Sequence, residues 1–155
     1  MRLSRLFHSL NQTAQEQAVM EILELNEKTA PFGLMLTPEE AAQMIHVRNQ
    51  LLYSYGRVEL GFEVIRSLID GFAASPYIND ENYVPTLNEL QEIFYYLKNE
   101  TEDQIGDARL VEIMRQLFDE ESGGSLELLK SNLEEYAYHY RREMQHNEFL
   151  PKEEE

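Results

Sequence analysis

The chain contains no cysteine and no tryptophan. Without thiols it can build no disulfide, no thiolate metal centre and no cysteine nucleophile, which suits a reducing compartment. Cations are scarce as well: 13 Lys and Arg face 29 Asp and Glu, for a formal net charge of -16 over 155 residues. The deficit is uneven, since residues 1–75 carry 6 Lys/Arg against 9 Asp/Glu (net -3) and residues 76–155 carry 7 against 20 (net -13). A duplex binder needs clustered Lys and Arg to release counterions, and here the only adjacent basic pair, Arg141-Arg142, stands among glutamates. Nucleic acid is therefore not an expected partner. The reverse idea, an acidic mimic that occupies a basic partner, is permitted by the charge, although acidic surfaces mostly serve solubility.

Long hydrophobic runs are also missing. The opening MRLSRLFHSLNQ has two arginines but no apolar stretch long enough for a signal peptide, and no later window approaches a membrane span. The expected location is the cytoplasm, with no membrane contact. The length suits one domain with its own core, here taken as residues 1–150 followed by an acidic frayed tail, PKEEE, at 151–155.

What is present is helical periodicity. Apolar residues recur at i, i+3 and i+4 almost throughout, and no stretch of more than a few residues alternates as a half-buried strand would. TAQE, from Thr13, and TPEE, from Thr37, both match the capping box, the second with proline at the first helical position. They predict helices over about 13–28 and 37–55. A third helix is expected over 61–74, ending before Pro76. A fourth starts near Asn82, which puts Pro85 in its first turn, and carries LNELQEIFYYLK. Asp107 is expected to cap a short fifth helix at 108–118, and Ser125 to open a long sixth reaching about residue 145. On helical wheels Leu87, Leu90, Ile93, Phe94 and Leu97 share one side of the fourth helix. Leu126, Leu129, Leu133, Tyr136, Ala137, Tyr140 and Met144 do so on the last. The expected fold is an all-α, irregular compact bundle of five to six helices, with a short extended bridge at 34–37 or 57–60.

Candidate chemistry is thin. Gly56 and Gly61 bracket RVEL ahead of a helical run, but the lysine of a phosphate loop is absent and Glu59 and Glu63 would repel phosphates. Gly56 reads instead as the left-handed residue closing the second helix. There is no GxSxG nucleophile turn, so no catalytic residue and no cofactor is assigned. Glu143-x-x-His146 has the spacing of a metal ligand pair, yet it shares a polar stripe with Glu135 and His139, away from the apolar face. That stripe reads as a surface ion-pair line, with His139, Glu143 and His146 as a weak metal candidate.

Arg48 is more informative, because it falls within the apolar stripe of the second helix. A guanidinium there needs a partner: either a structural ion pair with Glu59, Glu63 or Asp70, or a ligand that it anchors in a pocket with Arg57 and Glu59. Leu3, Leu6, Phe7 and Leu10 form a short amphipathic stripe that either joins the core or docks into a partner. Tyr95 and Tyr138 lie off their apolar stripes and are candidate exposed contacts.

Taken in order, FGLxLT (32–37), EEA…RN…GRVELG (39–61), SPYI (75–78), LNELQEIFYYLKNET (87–101) and F-D-x-x-x-x-GSLE (118–127) resemble a small bacterial family catalogued only as a domain of unknown function. The resemblance implies a stand-alone soluble bacterial protein and supplies no activity, cofactor or catalytic residue. The expected role is non-catalytic: an interaction or regulatory protein with a protein partner or as a homo-oligomer. A small-molecule binder or enzyme with a pocket around Arg48 is the competing class.

Overall fold

The computed structural model describes the backbone of residues 2–149 and the side chains of residues 13–145. The stripe Leu3, Leu6, Phe7 and Leu10, the side chain of His146 and the tail at 151–155 lie outside the described side chains. The elements are α1 (Arg2–Leu23), a single turn α2 (Asn26–Thr29) continued by a 3-10 turn (Ala30–Phe32), α3 (Pro38–Ser54), α4 (Glu63–Phe72), α5 (Tyr83–Glu100), α6 (Asp107–Asp119) and α7 (Leu126–Phe149). Among the described residues six helices of ten residues or more thus make an all-α bundle.

The capping signals divide. At the head of α3 the box is complete: Glu40 N–H donates to Thr37 Oγ1 at 3.1 Å and Thr37 N–H to Glu40 Oε1 at 2.9 Å, with Pro38 as the first helical residue. Thr13, by contrast, sits inside α1. No proline or glycine precedes it, so nothing stops the helix from continuing through the motif. The same helix stops at Leu23, short of the expected residue 28. Asn26 turns the chain there, its side-chain amide exchanging two 2.9 Å hydrogen bonds with the Leu36 main chain. That clasp takes the groups a strand partner would need, and no bridge forms at 34–37 or 57–60.

Asn82 precedes α5 as expected, while α6 is preceded by Gly106 in extended conformation and so includes Asp107 as its first residue. Ser125 Oγ accepts from Leu128 N–H at 3.2 Å at the start of α7. Gly124 needs its missing side chain twice over: its φ is +82°, and a Cβ would stand 2.4 Å from Tyr77 Cγ.

The middle of the bundle is α5, which packs against α3, α4, α6 and α7. Its predicted face, Leu87, Leu90, Ile93, Phe94 and Leu97, is buried together with Tyr83, and so are Gln91 and Tyr95 beyond that face. Tyr95 is 0 % exposed. The expectation that it forms an exposed contact is corrected: the connection between α3 and α4 covers it, Glu59 accepting from its hydroxyl at 2.7 Å, and the solvent side of α5 falls at Pro85, Glu89, Glu92 and Asn99.

A candidate interaction face at the α3–α4 connection

The connection between α3 and α4 is where charge, burial and exposure conflict most. Gly56, at φ +63°, closes α3 in the left-handed region, and Arg57 N–H donates back to the Leu52 carbonyl at 2.8 Å. From Arg57 the chain has no regular structure until Glu63, and it bends at Leu60. Side chains alternate along it. Arg57 and Glu59 are partly buried, whereas Val58 and Leu60 are 88 % and 98 % exposed. Burying an aliphatic side chain normally stabilises by ~1.5–3 kcal/mol, so this stretch is inverted, with charges inward and apolar groups outward.

Three anchors hold the inversion. Arg57 Nη2 donates to Asp103 Oδ1 at 2.5 Å. Asp103 follows Glu102 in the α5–α6 loop, and both take positive φ, 60° and 54°. Glu59 accepts from the buried Tyr95 hydroxyl at 2.7 Å. Arg48, only 6 % exposed, lies under the loop itself. Its Nη2 donates to the carbonyls of Glu59 at 2.8 Å and Gly61 at 2.6 Å, its Nη1 to Asn49 Oδ1 at 2.9 Å, and its Cζ sits 4.3 Å from the Phe62 ring centroid.

The partner expected of Arg48 was a carboxylate, and the observed partners are carbonyls and an aromatic face. Helix position made its burial legible. The shape of the loop above it decided the partner, since two carbonyls two residues apart match one guanidinium edge. Glu63 lies instead on the exposed surface, 3.9 Å from Arg66. Nor does Arg48 line the nearby clefts. One of ≈ 650 Å³ is bounded by His46, Gln50, Tyr53 and Glu92, one of ≈ 630 Å³ by Val19, Met20, Leu23 and Pro38, and one of ≈ 320 Å³ by Ile45, His46, Asn49 and Phe62. With Nη2 held by the loop and Nη1 by Asn49, the guanidinium works as a clasp.

Burial pushes the Tyr95 hydroxyl well above the ordinary tyrosine range, and the hydrogen bond and negative charge of Glu59 push it further. Tyr83 is pushed up to about 12, also by burial, and Tyr55 and Tyr96 are raised, each by burial first and then by neighbouring glutamates. A raised tyrosine means the folded chain holds its proton where the unfolded chain, ionising near 10.0, releases it. That contribution is complete below pH 10.0 and lost as pH rises through the folded values. Stability is therefore expected to decline on the alkaline side, with the last of the tyrosinate absorbance appearing only together with loss of helical circular dichroism. Ionisation of all nine tyrosines with the helices intact would contradict it.

Tyr138 is half exposed, with Arg142 over its ring at 5.8 Å. On the same helix His139 lies 3.7 Å from Glu135, both exposed. Among the described residues no group of three or more His, Asp or Glu could hold a metal ion. No helix among them is long and apolar enough to cross a membrane.

Val58 and Leu60 are the residues that sequence reasoning passed over. The period-two pattern of RVEL was visible, but it does not say which set faces inward, and the apolar set is the natural inward choice.

Fold and face together define a small all-α bundle that displays an apolar, charge-anchored loop. The chain belongs to the family of unknown function DUF6323, whose model matches residues 21–146. No curated protein and no solved structure matches it.

Proposed function

We propose that the protein acts non-catalytically, as an interaction module of the bacterial cytoplasm that docks another protein through the loop between α3 and α4. The observation that carries this reading is the inversion itself: Val58 and Leu60 held in solvent while Arg57 and Glu59 are bonded inward. Tyr53, at the end of α3, adds an aromatic ring 89 % exposed to the same stretch of chain. Single exposed apolar residues are common. Three in residues 53–60, with a buried arginine, a buried tyrosine and a left-handed acidic loop holding the stretch in place, are more than surface chance provides. Interfaces favour such rigid aromatic and aliphatic anchors, because little entropy is lost when they are covered.

The test is a double substitution, Val58→Ser with Leu60→Ser, in the full chain. Both side chains stand in water, so the melting temperature is expected to stay within ~2 °C. A protein captured stoichiometrically from the host by the parent chain, and identified by native mass spectrometry, is expected to be lost. If the double variant retains that partner undiminished, this face is not where the protein docks.

A further inference from the structure

The docking reading can be taken one step further, to the kind of chain that fits. The stretch 57–61 is ordered with a period of two in its main chain as well as in its side chains. Arg57 offers its N–H, and Glu59 and Gly61 their carbonyls, to groups inside the protein. Val58 and Leu60 make no hydrogen bond among the described residues. Side-chain burial alternates from Arg57 to Leu60 as in an extended chain, where alternate residues present their N–H and C=O to opposite edges. One edge of this stretch is therefore tied down by Leu52 and Arg48, and the other stands open, beside the two exposed aliphatic side chains.

Charge narrows the partner. The cations at this end are already engaged: Arg48 by carbonyls, Arg57 by Asp103, Lys98 by Asp107 at 2.7 Å, and Arg141 by Glu100. Glu92 and Glu102 are exposed and in no ion pair among the described residues. Glu92 lines the ≈ 650 Å³ cleft together with the exposed Tyr53, and Glu102 adjoins the Asp103 that holds Arg57. The face thus offers apolar side chains, free main-chain groups and unneutralised carboxylates.

We propose that it accepts an extended segment of a partner protein in which apolar side chains alternate with Lys or Arg, the partner's main chain pairing with the open edge of Val58 and Leu60. The bend at Leu60 limits the pairing to two or three hydrogen bonds. The main chain therefore sets the register, the aliphatic contact supplies most of the affinity, and the carboxylates select charge. A second copy of this chain is a poor occupant, since it would bring Glu92 and Glu102 against their counterparts.

The inference rests on the docking reading, and the experiment separates the two. Isotope-labelled full chain is titrated, by amide NMR, with three hexapeptides: alternating lysine and valine, alternating glutamate and valine, and the lysine peptide methylated on alternate main-chain nitrogens. The lysine peptide is expected to shift the Val58, Glu59 and Leu60 signals, and to weaken as salt is raised. The glutamate peptide should bind roughly tenfold or more weaker, and the methylated one should leave these signals unmoved. Equal binding of the glutamate peptide overturns the charge assignment, and equal binding of the methylated peptide overturns the edge. Shifts confined to other residues, or none with the lysine peptide, overturn the proposal as a whole. So does broadening of the same signals on simply concentrating the protein, which would make a second copy the occupant. Loss of the host partner on substituting Val58 and Leu60 would still stand in each of these cases, leaving the docking reading intact with a different partner chemistry.

Discussion

Replacing Arg48 with methionine is expected to lower stability by about 3 kcal/mol, or the melting temperature by ~9 °C for a chain of this size. Methionine fills the aliphatic part of the site but returns nothing to the Glu59 and Gly61 carbonyls. Hydrogen bonds from a charged donor contribute ~1.5–3 kcal/mol each, and the contact with Phe62 ~0.5–1 more. Against that loss stands relief: the guanidinium no longer has to be buried, and its Nε, buried without a hydrogen-bond partner, disappears. The two terms leave a net loss, because the carbonyls belong to a loop that has no helix or sheet of its own to fall back on. Amide exchange should accelerate at residues 57–62 well before it does in α5. Lysine should rescue little, since a single ammonium cannot reproduce a planar fork spanning two carbonyls and Asn49. A methionine variant as stable as the parent would show that the clasp contributes nothing.

The larger effect is expected at Tyr95. Tyr95→Ala removes a fully buried ring packed edge-on against Phe94 at 5.2 Å and leaves a cavity beside the central helix, for a loss of ~4 kcal/mol. It also strips the Glu59 carboxylate of its hydroxyl donor. Tyr95→Phe separates the two contributions: the ring stays, only the hydrogen bond goes, and the expected cost is ~1–2 kcal/mol. The phenylalanine variant should also lose less stability above pH 10.0 than the parent, because a group with a strongly raised folded pKa has been deleted. Chemical denaturation across pH reads all of this. A loss below ~1 kcal/mol for the alanine variant, the size expected at an exposed position, would contradict its placement in the core.

Helix content was legible because it depends on local signals. Thr37, Pro38 and Glu40 supply their own hydrogen-bond partners within one turn, so the start of α3 could be read directly. Ser125 marked α7 for a similar reason, whereas Asn82 precedes α5 without capping it, its side chain accepting from Asn79 N–H and donating to the Tyr77 carbonyl. Thr13 misled because a capping box is only a local offer, which a helix arriving from upstream overrides. The burial of Arg48 was legible from its angular place on the helix. Its partners were not, because they are main-chain groups of a loop, and main-chain carbonyls leave no mark in the residue alphabet.

Tyr95 and Leu60 show the same limit from opposite sides. Wheel angle placed the tyrosine outside, and hydrophobicity would place the leucine inside. Each assignment assumes that an element has one buried face, which holds for α7 at the margin of the bundle and fails for α5 at its centre. What the amino-acid order determined by itself was the class of fold, most helix boundaries, the acidic composition and the burial of Arg48, all of which follow from composition and from contacts within a turn or two of helix. Only the tertiary structure decided that α5 buries Gln91 and Tyr95 beside its apolar face, that Arg48 holds a loop instead of a carboxylate, and that Val58 and Leu60 face water. Those outcomes depend on contacts between Arg57 and Asp103, and between Glu59 and Tyr95, that join residues far apart in the chain.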